Sequence, residues 1–326
     1  MDRKPGLLAI LLVFPALLFL FLFPSACTPQ GDRASHRSRS GSPAAGKGRF
    51  ATHTEKLNTY KIPAEYLIFS SKYYPDAIAA VALPADYAKR PEKEYPLVIA
   101  FSGAGECVKP PRQGALAWIG DYMLDDAVLA LGHSQLTAKD FRGLVTEAQL
   151  KSFNRSLRQL PYRGVIVACP YSPPTTVRTG LESPAYEAFV MKELIPELQK
   201  RYRVAEGRIG VDGVSMGGAR AMYYGFKYPK VFSSIGSLQG AFGPFRKVYR
   251  GLVTRNAPIL RQKRIQLITS DRDPMATDVK EMHKLLSASK IPHRYAVLSG
   301  PHDYIFNQGP GSLALLVFHN RALGSY

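Results

Sequence analysis

Apolar positions along the chain fall into one long run near the start and a series of shorter ones. Residues 7–23 are apolar almost without interruption. After residue 60, short apolar runs alternate with segments of helical periodicity. Runs of β type stand at 66–70 and 77–83, and a more apolar one, Pro96-Leu97-Val98-Ile99-Ala100-Phe101, ends in the glycine-rich Ser102-Gly103-Ala104-Gly105. Residues 163–169 (Arg-Gly-Val-Ile-Val-Ala-Cys) are continuous rather than alternating, the pattern of a strand covered by helices on both faces. Further strands are predicted at 208–211, 231–238, 264–269 and 294–298, and helices at 217–226, 275–289 and 312–323. Ser183-Pro184 opens another helix, because serine caps well and proline is tolerated in a first turn; it runs to about residue 202 with a break near Pro196. Strands alternating with helices predict an α/β fold of α/β-hydrolase type, a doubly wound, mostly parallel sheet with helices on both faces. Between about 110 and 160, helical pieces at 125–131 and 146–157 exceed an ordinary crossover and predict a helical insertion over one end of the sheet.

The long apolar run changes the picture at the front. It follows the charged Asp2-Arg3-Lys4 and precedes Pro24-Ser25-Ala26-Cys27, the layout of a secretion signal. At about 17 residues with Pro15 inside, it is short for a membrane-spanning helix. Cysteine directly after Ser25-Ala26 resembles the lipobox of bacterial lipoproteins, although Pro24 stands where an aliphatic residue is usual; the resemblance implies acylation at Cys27, and plain cleavage is the alternative. Residues 28–55 are rich in Ser, Arg, Gly and Pro and form a tether that cannot bury enough apolar surface to order itself. The expected organisation is a signal peptide over 1–27, a tether over 28–55 and a hydrolase domain over 56–326. The expected destination is secreted or cell envelope, with membrane association through an amino-terminal lipid if Cys27 is acylated.

Formal charge is +18, with basic residues scattered rather than gathered into a binding motif. Nucleic acid is therefore not expected as a partner. The charge fits a basic soluble exterior, or attraction to anionic surfaces and acidic substrates.

Candidate chemistry centres on Gly213-Val214-Ser215-Met216-Gly217, followed by Gly218. This G-x-S-x-G pattern lies directly after a predicted strand and before a predicted helix, the setting of a nucleophile elbow. A serine hydroxyl needs an adjacent base, and the base needs an orienting acid. His302, in the loop Gly300-Pro301-His302-Asp303 past the last strand, is the expected base. His283 and His319 lie in helical runs, where solvated or structural roles are commoner, and His293 precedes its strand. Asp273 is the preferred acid, with Asp271 a second candidate that could instead organise the turn; Asp303 is adjacent to the base and poorly placed to orient it. Oxyanion donors are expected from the N–H groups of Met216 and Ala104, with Gly103 next. Cys107 and Cys169, near the carboxyl ends of neighbouring strands, could form a disulfide or remain free thiols. No metal motif and no cofactor are implied.

Three further stretches accompany the elbow: Phe189-Val190-Met191-Lys192-Glu193-Leu194-Ile195-Pro196, then Arg201-Tyr202-Arg203, then Tyr228-Pro229 and Phe232 beyond it. With them the chain, from about residue 62 and apart from the insertion, resembles the putative esterase family that includes esterase D, feruloyl esterases and mycolyltransferases. The resemblance implies a triad of Ser215, Asp273 and His302. Ser102 stands where that family often has histidine, and the insertion has no counterpart. The expected activity is cleavage of carboxylic esters, small-molecule or glycan-linked, through an acyl-enzyme on Ser215. The alternatives are a peptidase or acyltransferase on the same fold, or a non-catalytic surface-binding protein.

Overall fold

The computed structural model describes residues 52–133, 135–174 and 181–324. The long apolar run, Cys27 and most of the expected tether lie outside the described residues. Among the described residues no helix is long and apolar enough to cross a membrane.

Nine strands form one sheet: β1 (Thr52–Lys56), β2 (Ala64–Phe69), β3 (Ile78–Ala82), β4 (Tyr95–Phe101), β5 (Ile166–Pro170), β6 (Val204–Gly213), β7 (Ser234–Leu238), β8 (Arg264–Arg272) and β9 (Arg294–Pro301). Their spatial order is β1-β2-β3-β5-β4-β6-β7-β8-β9. The first three are antiparallel, β3 runs antiparallel to β5, and every pair from β5 to β9 is parallel. The expected mostly parallel sheet is thus present, with an antiparallel edge. One boundary differs from expectation: residues 52–55, assigned above to the tether, belong to β1. This strand is polar and largely exposed and has no apolar signature; what orders it is its ladder to β2.

From β4 the chain goes to β5 on one side, and β6 lies on the other. Ligand sites of open α/β sheets gather at such a switch, beyond the carboxyl ends of the strands. Strand β4 also shows why both faces need cover. Tyr95, Leu97, Ile99 and Phe101 enter one apolar core while Val98 and Ala100 enter the other, and all are wholly buried.

Between β4 and β5 run helices α1 (Ala104–Cys107), α2 (Pro111–Ala115), α3 (Leu124–Leu131) and α4 (Glu147–Gln159). Thr146 caps α4 through a reciprocal box with Gln149. This insertion does not simply stand over one end of the sheet. Trp118, Leu124 and Val128 pack into the core that holds Val98 and Val167, because its apolar positions need a sheet face to leave water. After β5 come α5 (Pro184–Phe189), capped by Ser183, a π turn at Val190–Leu194 and α6 (Ile195–Arg201). The break expected near Pro196 takes the form of that turn. Helix α7 (Met216–Lys227) follows β6, α8 (Arg246–Leu260) follows β7, α9 (Ala276–Ala288) follows β8, and α10 (Tyr304–Phe306) and α11 (Ser312–Leu323) follow β9.

Candidate active site

Strand β6 ends at Gly213, and α7 begins at Met216, leaving two residues to reverse the chain. Ser215 absorbs the turn at φ +58° and ψ −118°, a backbone region that costs a non-glycine residue about 1–3 kcal/mol and persists only where the surroundings over-determine it. They do so here. The Ser215 N–H donates to Leu238 O at 2.8 Å, and its carbonyl accepts from Ala241 N–H at 3.1 Å. A Cβ on Gly217 would stand 2.4 Å from the carbonyl oxygens of Phe101 and Ser102, so only glycine lets the end of β4 approach this closely. Ser215 itself is partly exposed and open to substrate.

Asp273 and His302 emerge from the neighbouring ends of β8 and β9. His302 Nδ1 lies 2.7 Å from Asp273 Oδ1. Asp273 also accepts from Thr269 Oγ1 at 2.6 Å and from Met275 N–H at 2.8 Å. Burial pushes the Asp273 carboxyl up, but the bonds from His302, Thr269 and Met275 together outweigh it and hold the group below the usual carboxylate range. Because the carboxylate only accepts, Nδ1 carries the hydrogen and Nε2 is the nitrogen left for proton transfer. The Asp273 side chain is fully buried while His302 retains 22% exposure, so the pair faces the open edge with its imidazole. No hydrogen bond joins the Ser215 hydroxyl to His302; such contacts commonly tighten only when substrate binds.

The other acids find different work. Asp271 Oδ1 accepts from Gly300 N–H at 2.9 Å and shapes the approach to the histidine loop; Asp303 caps α10 through Phe306 N–H at 3.0 Å. The two oxyanion candidates separate in the same way. The Gly103 N–H is occupied by Tyr122 Oη at 3.1 Å, whereas Ala104 opens α1 and Met216 opens α7, where first-turn N–H groups have no partner within the helix. A Cβ on Gly103 would lie 3.9 Å from Ser215 Cβ, which sets this turn against the nucleophile.

Cys107 and Cys169 are buried free thiols, and the disulfide alternative is not realised. Cys169 sits within β5, while Cys107 lies on α1 with its thiol turned to Gly103 O at 3.3 Å. Burial pushes Cys107 up to about 11 and Cys169 up to about 12, so both stay protonated near neutrality.

Several supporting residues carry no sequence signal of their own. Tyr122, from the insertion, accepts from Gly103 and donates to buried Glu106, which also accepts from Tyr304 Oη at 2.5 Å, two residues past His302. Burial, then the nearby Glu106, keeps the Tyr122 phenol protonated. Gln239, wholly buried at φ +50°, donates to Pro301 O at 3.0 Å and Ser270 Oγ at 2.6 Å, tying the turn that follows β7 to the loops that carry Asp273 and His302. Under the elbow, wholly buried His319 lies 3.0 Å from Asp212 Oδ2 and 2.7 Å from Ser234 Oγ, and Asp212 Oδ1 accepts from Gly213 N–H at 2.7 Å. That histidine is structural, as one of the roles open to it; the apolar run around it, Leu313 to Phe318, was the signal for its burial. His283 and His293 pair with each other at 2.7 Å.

Residues 161–305 match the family described as "Putative esterase". Among curated proteins, none matches the chain. Of solved structures, a ferulic acid esterase aligns over 84% of this chain and 100% of its own at TM-score 0.57 and 18% identity. The feruloyl esterase module from Clostridium thermocellum aligns over 87% and 93% at 0.54 and 16%. An S-formylglutathione hydrolase from Agrobacterium tumefaciens aligns over 83% and 99% at 0.53 and 15%. At such identities the likeness speaks for the fold, and the family match spans the serine, the aspartate and the histidine alike. Over residues 161–305 the chain is thus similar to the putative esterases, and its fold is that of the α/β hydrolases.

Proposed function

We propose that the protein hydrolyses carboxylic esters through an acyl-enzyme on Ser215, with His302 as general base and Asp273 as its orienting acid. The 2.7 Å hydrogen bond between Asp273 and His302, at the same sheet edge as a serine held at φ +58°, carries this reading. Ser215 Oγ attacks the ester carbonyl and passes its proton to His302 Nε2, while the N–H groups of Ala104 and Met216 donate to the new oxyanion. The imidazolium, stabilised by Asp273, then protonates the leaving alkoxide, and the alcohol departs. A water molecule gives its proton to His302 and its hydroxide to the acyl carbon; collapse returns the proton to Ser215 and frees the acid.

The substrates we propose are small-molecule or glycan-linked esters. Val108, Tyr304 and Ile305 are exposed by 77%, 43% and 50% beside the oxyanion turn and the base, and offer an apolar rest for one side of the ester. Feruloyl esterases among the structural relatives favour the same class. Fluorophosphonate labelling tests the assignment: folded wild type should label and Ser215→Ala should not, and an unlabelled wild type would refute it. A panel of esters varied in acyl chain then orders the substrates. Export and lipid attachment at Cys27 belong to the same proposal and rest on residues 1–27 alone; Cys27→Ser should release the enzyme from the membrane fraction.

A further inference from the structure

One cavity of the described residues lies away from the catalytic edge. It measures about 930 Å³ and opens at the amino-terminal ends of β8 and β9, between α4 and the last turns of α11. Strand β8 spans nine residues, so the length of the sheet, about 25 Å, separates it from the catalytic groups.

Its lining is chemically one-sided. Arg155, Lys263, Arg264, Arg294 and Arg321 contribute five cations, His293 adds an imidazole, and no carboxylate is among the lining residues. The floor is apolar, with Phe153, Val317 and Phe318. Several cations elsewhere do have carboxylate partners: Lys109 has Asp121, Arg112 has Glu55, Arg142 has Asp126, Lys227 has Glu187 and Arg246 has Asp278. In the cleft, Arg155, Lys263, Arg264 and Arg294 have no carboxylate of the described residues within 4.0 Å, and Arg321 donates to Ser156 Oγ at 3.2 Å. The guanidinium groups of Arg155, Arg264 and Arg294 and the ammonium of Lys263, lining one recess, repel each other, and an anion is what relieves that repulsion. Burial lowers the affinity of Lys263 for its proton, and burial followed by the nearness of Arg321 does the same to Arg294. The amino-terminal segment is not the complement, since residues 28–50 carry five Lys and Arg against the single Asp32.

We propose that this cleft is a binding site for a multiply charged phosphate group, presented by a soluble phosphoanhydride or by a phospholipid headgroup. Planar guanidinium forks match phosphate oxygens two at a time, and the volume admits a ligand well beyond a single inorganic ion. The site is independent of ester cleavage.

Isothermal titration of the folded protein with pyrophosphate, and flotation with vesicles of phosphatidylglycerol or of phosphatidylcholine, test it at constant ionic strength. Saturable binding of pyrophosphate, or retention on phosphatidylglycerol but not phosphatidylcholine, is expected. The first assigns a soluble ligand and the second a lipid headgroup. Arg264→Gln with Arg294→Gln should weaken that binding at least tenfold and leave esterase turnover unchanged, and Arg155→Gln, on the exposed face of α4, provides a milder variant should the pair disturb folding. Citrate should bind at least tenfold more weakly than pyrophosphate. The proposal is overturned by absence of binding in both arms, by equal binding of citrate, or by unchanged affinity in the folded variants.

Discussion

Replacing Asp273 by asparagine separates the two tasks of that residue, holding the imidazole and stabilising its charge. Oδ1 receives both His302 and Met275 N–H, while Oδ2 receives only the Thr269 hydroxyl. An asparagine can therefore keep its oxygen toward His302 and Met275 and turn its NH₂ to Thr269 Oγ1, which can accept. Geometry and tautomer survive, and the negative charge is lost. At about 4 Å and an effective dielectric constant of about 20, that charge is worth about 4 kcal/mol to an imidazolium, or about three powers of ten in rate. The cost falls on the charged intermediate rather than on bound substrate, so kcat should drop about 1000-fold with KM little changed. Steady-state hydrolysis of a chromogenic ester measures both. Asp271→Asn is the control: its amide oxygen can still accept from Gly300 N–H, and kcat should stay within about twofold. A kcat within tenfold of wild type for Asp273→Asn, or an equal loss in Asp271→Asn, would refute the reasoning.

Asp273 also links stability to acid. Its folded value lies below the ordinary 3.8, so its contribution is complete above that pH and is lost as pH falls through the lower folded value. Urea unfolding should show Asp273→Asn less stable than wild type near neutrality and the difference closing in strong acid; a difference independent of pH counts against the assignment. Mass spectrometry after alkylation should find Cys107 and Cys169 unmodified in the native protein at pH 8 and both modified under denaturing, non-reducing conditions. His319→Leu strips wholly buried Asp212 of its imidazole partner and should cost about 3–5 kcal/mol in urea unfolding, as broken buried pairs do; a loss below about 1 kcal/mol would show the network under the elbow to be dispensable.

Those elements whose signals are local were legible in the chain. The unbroken apolar run of β4 announces a strand covered on both faces, and Thr146 with Gln149 announces the start of α4. The elbow is legible because its G-x-S-x-G pattern is short and sits between a strand and a helix, although the close approach that Gly217 permits comes from Phe101 and Ser102 at the end of β4. Helix α8 escaped notice although it buries Tyr249, Leu252, Val253 and Leu260 at helical spacing, since Gly251 and Pro258 within it and its many basic residues speak against a helix. The antiparallel sense of β1 to β3 was equally hidden, because side-chain patterns report burial and not strand direction.

Sequence alone determined the class of fold and singled out Ser215, His302 and Asp273 as candidates, because each reading depends on residue type at short range or on the order of elements along the chain. The tertiary structure alone decided that the Gly103 N–H is occupied by a tyrosine 19 residues away and that Gln239 braces the loops of Asp273 and His302. It also decided that two thiols stay apart and that cations from β8, β9, α4 and α11 meet in one cleft. Such facts concern residues far apart in the chain, and no local pattern encodes which distant groups packing will bring within 3 Å of one another.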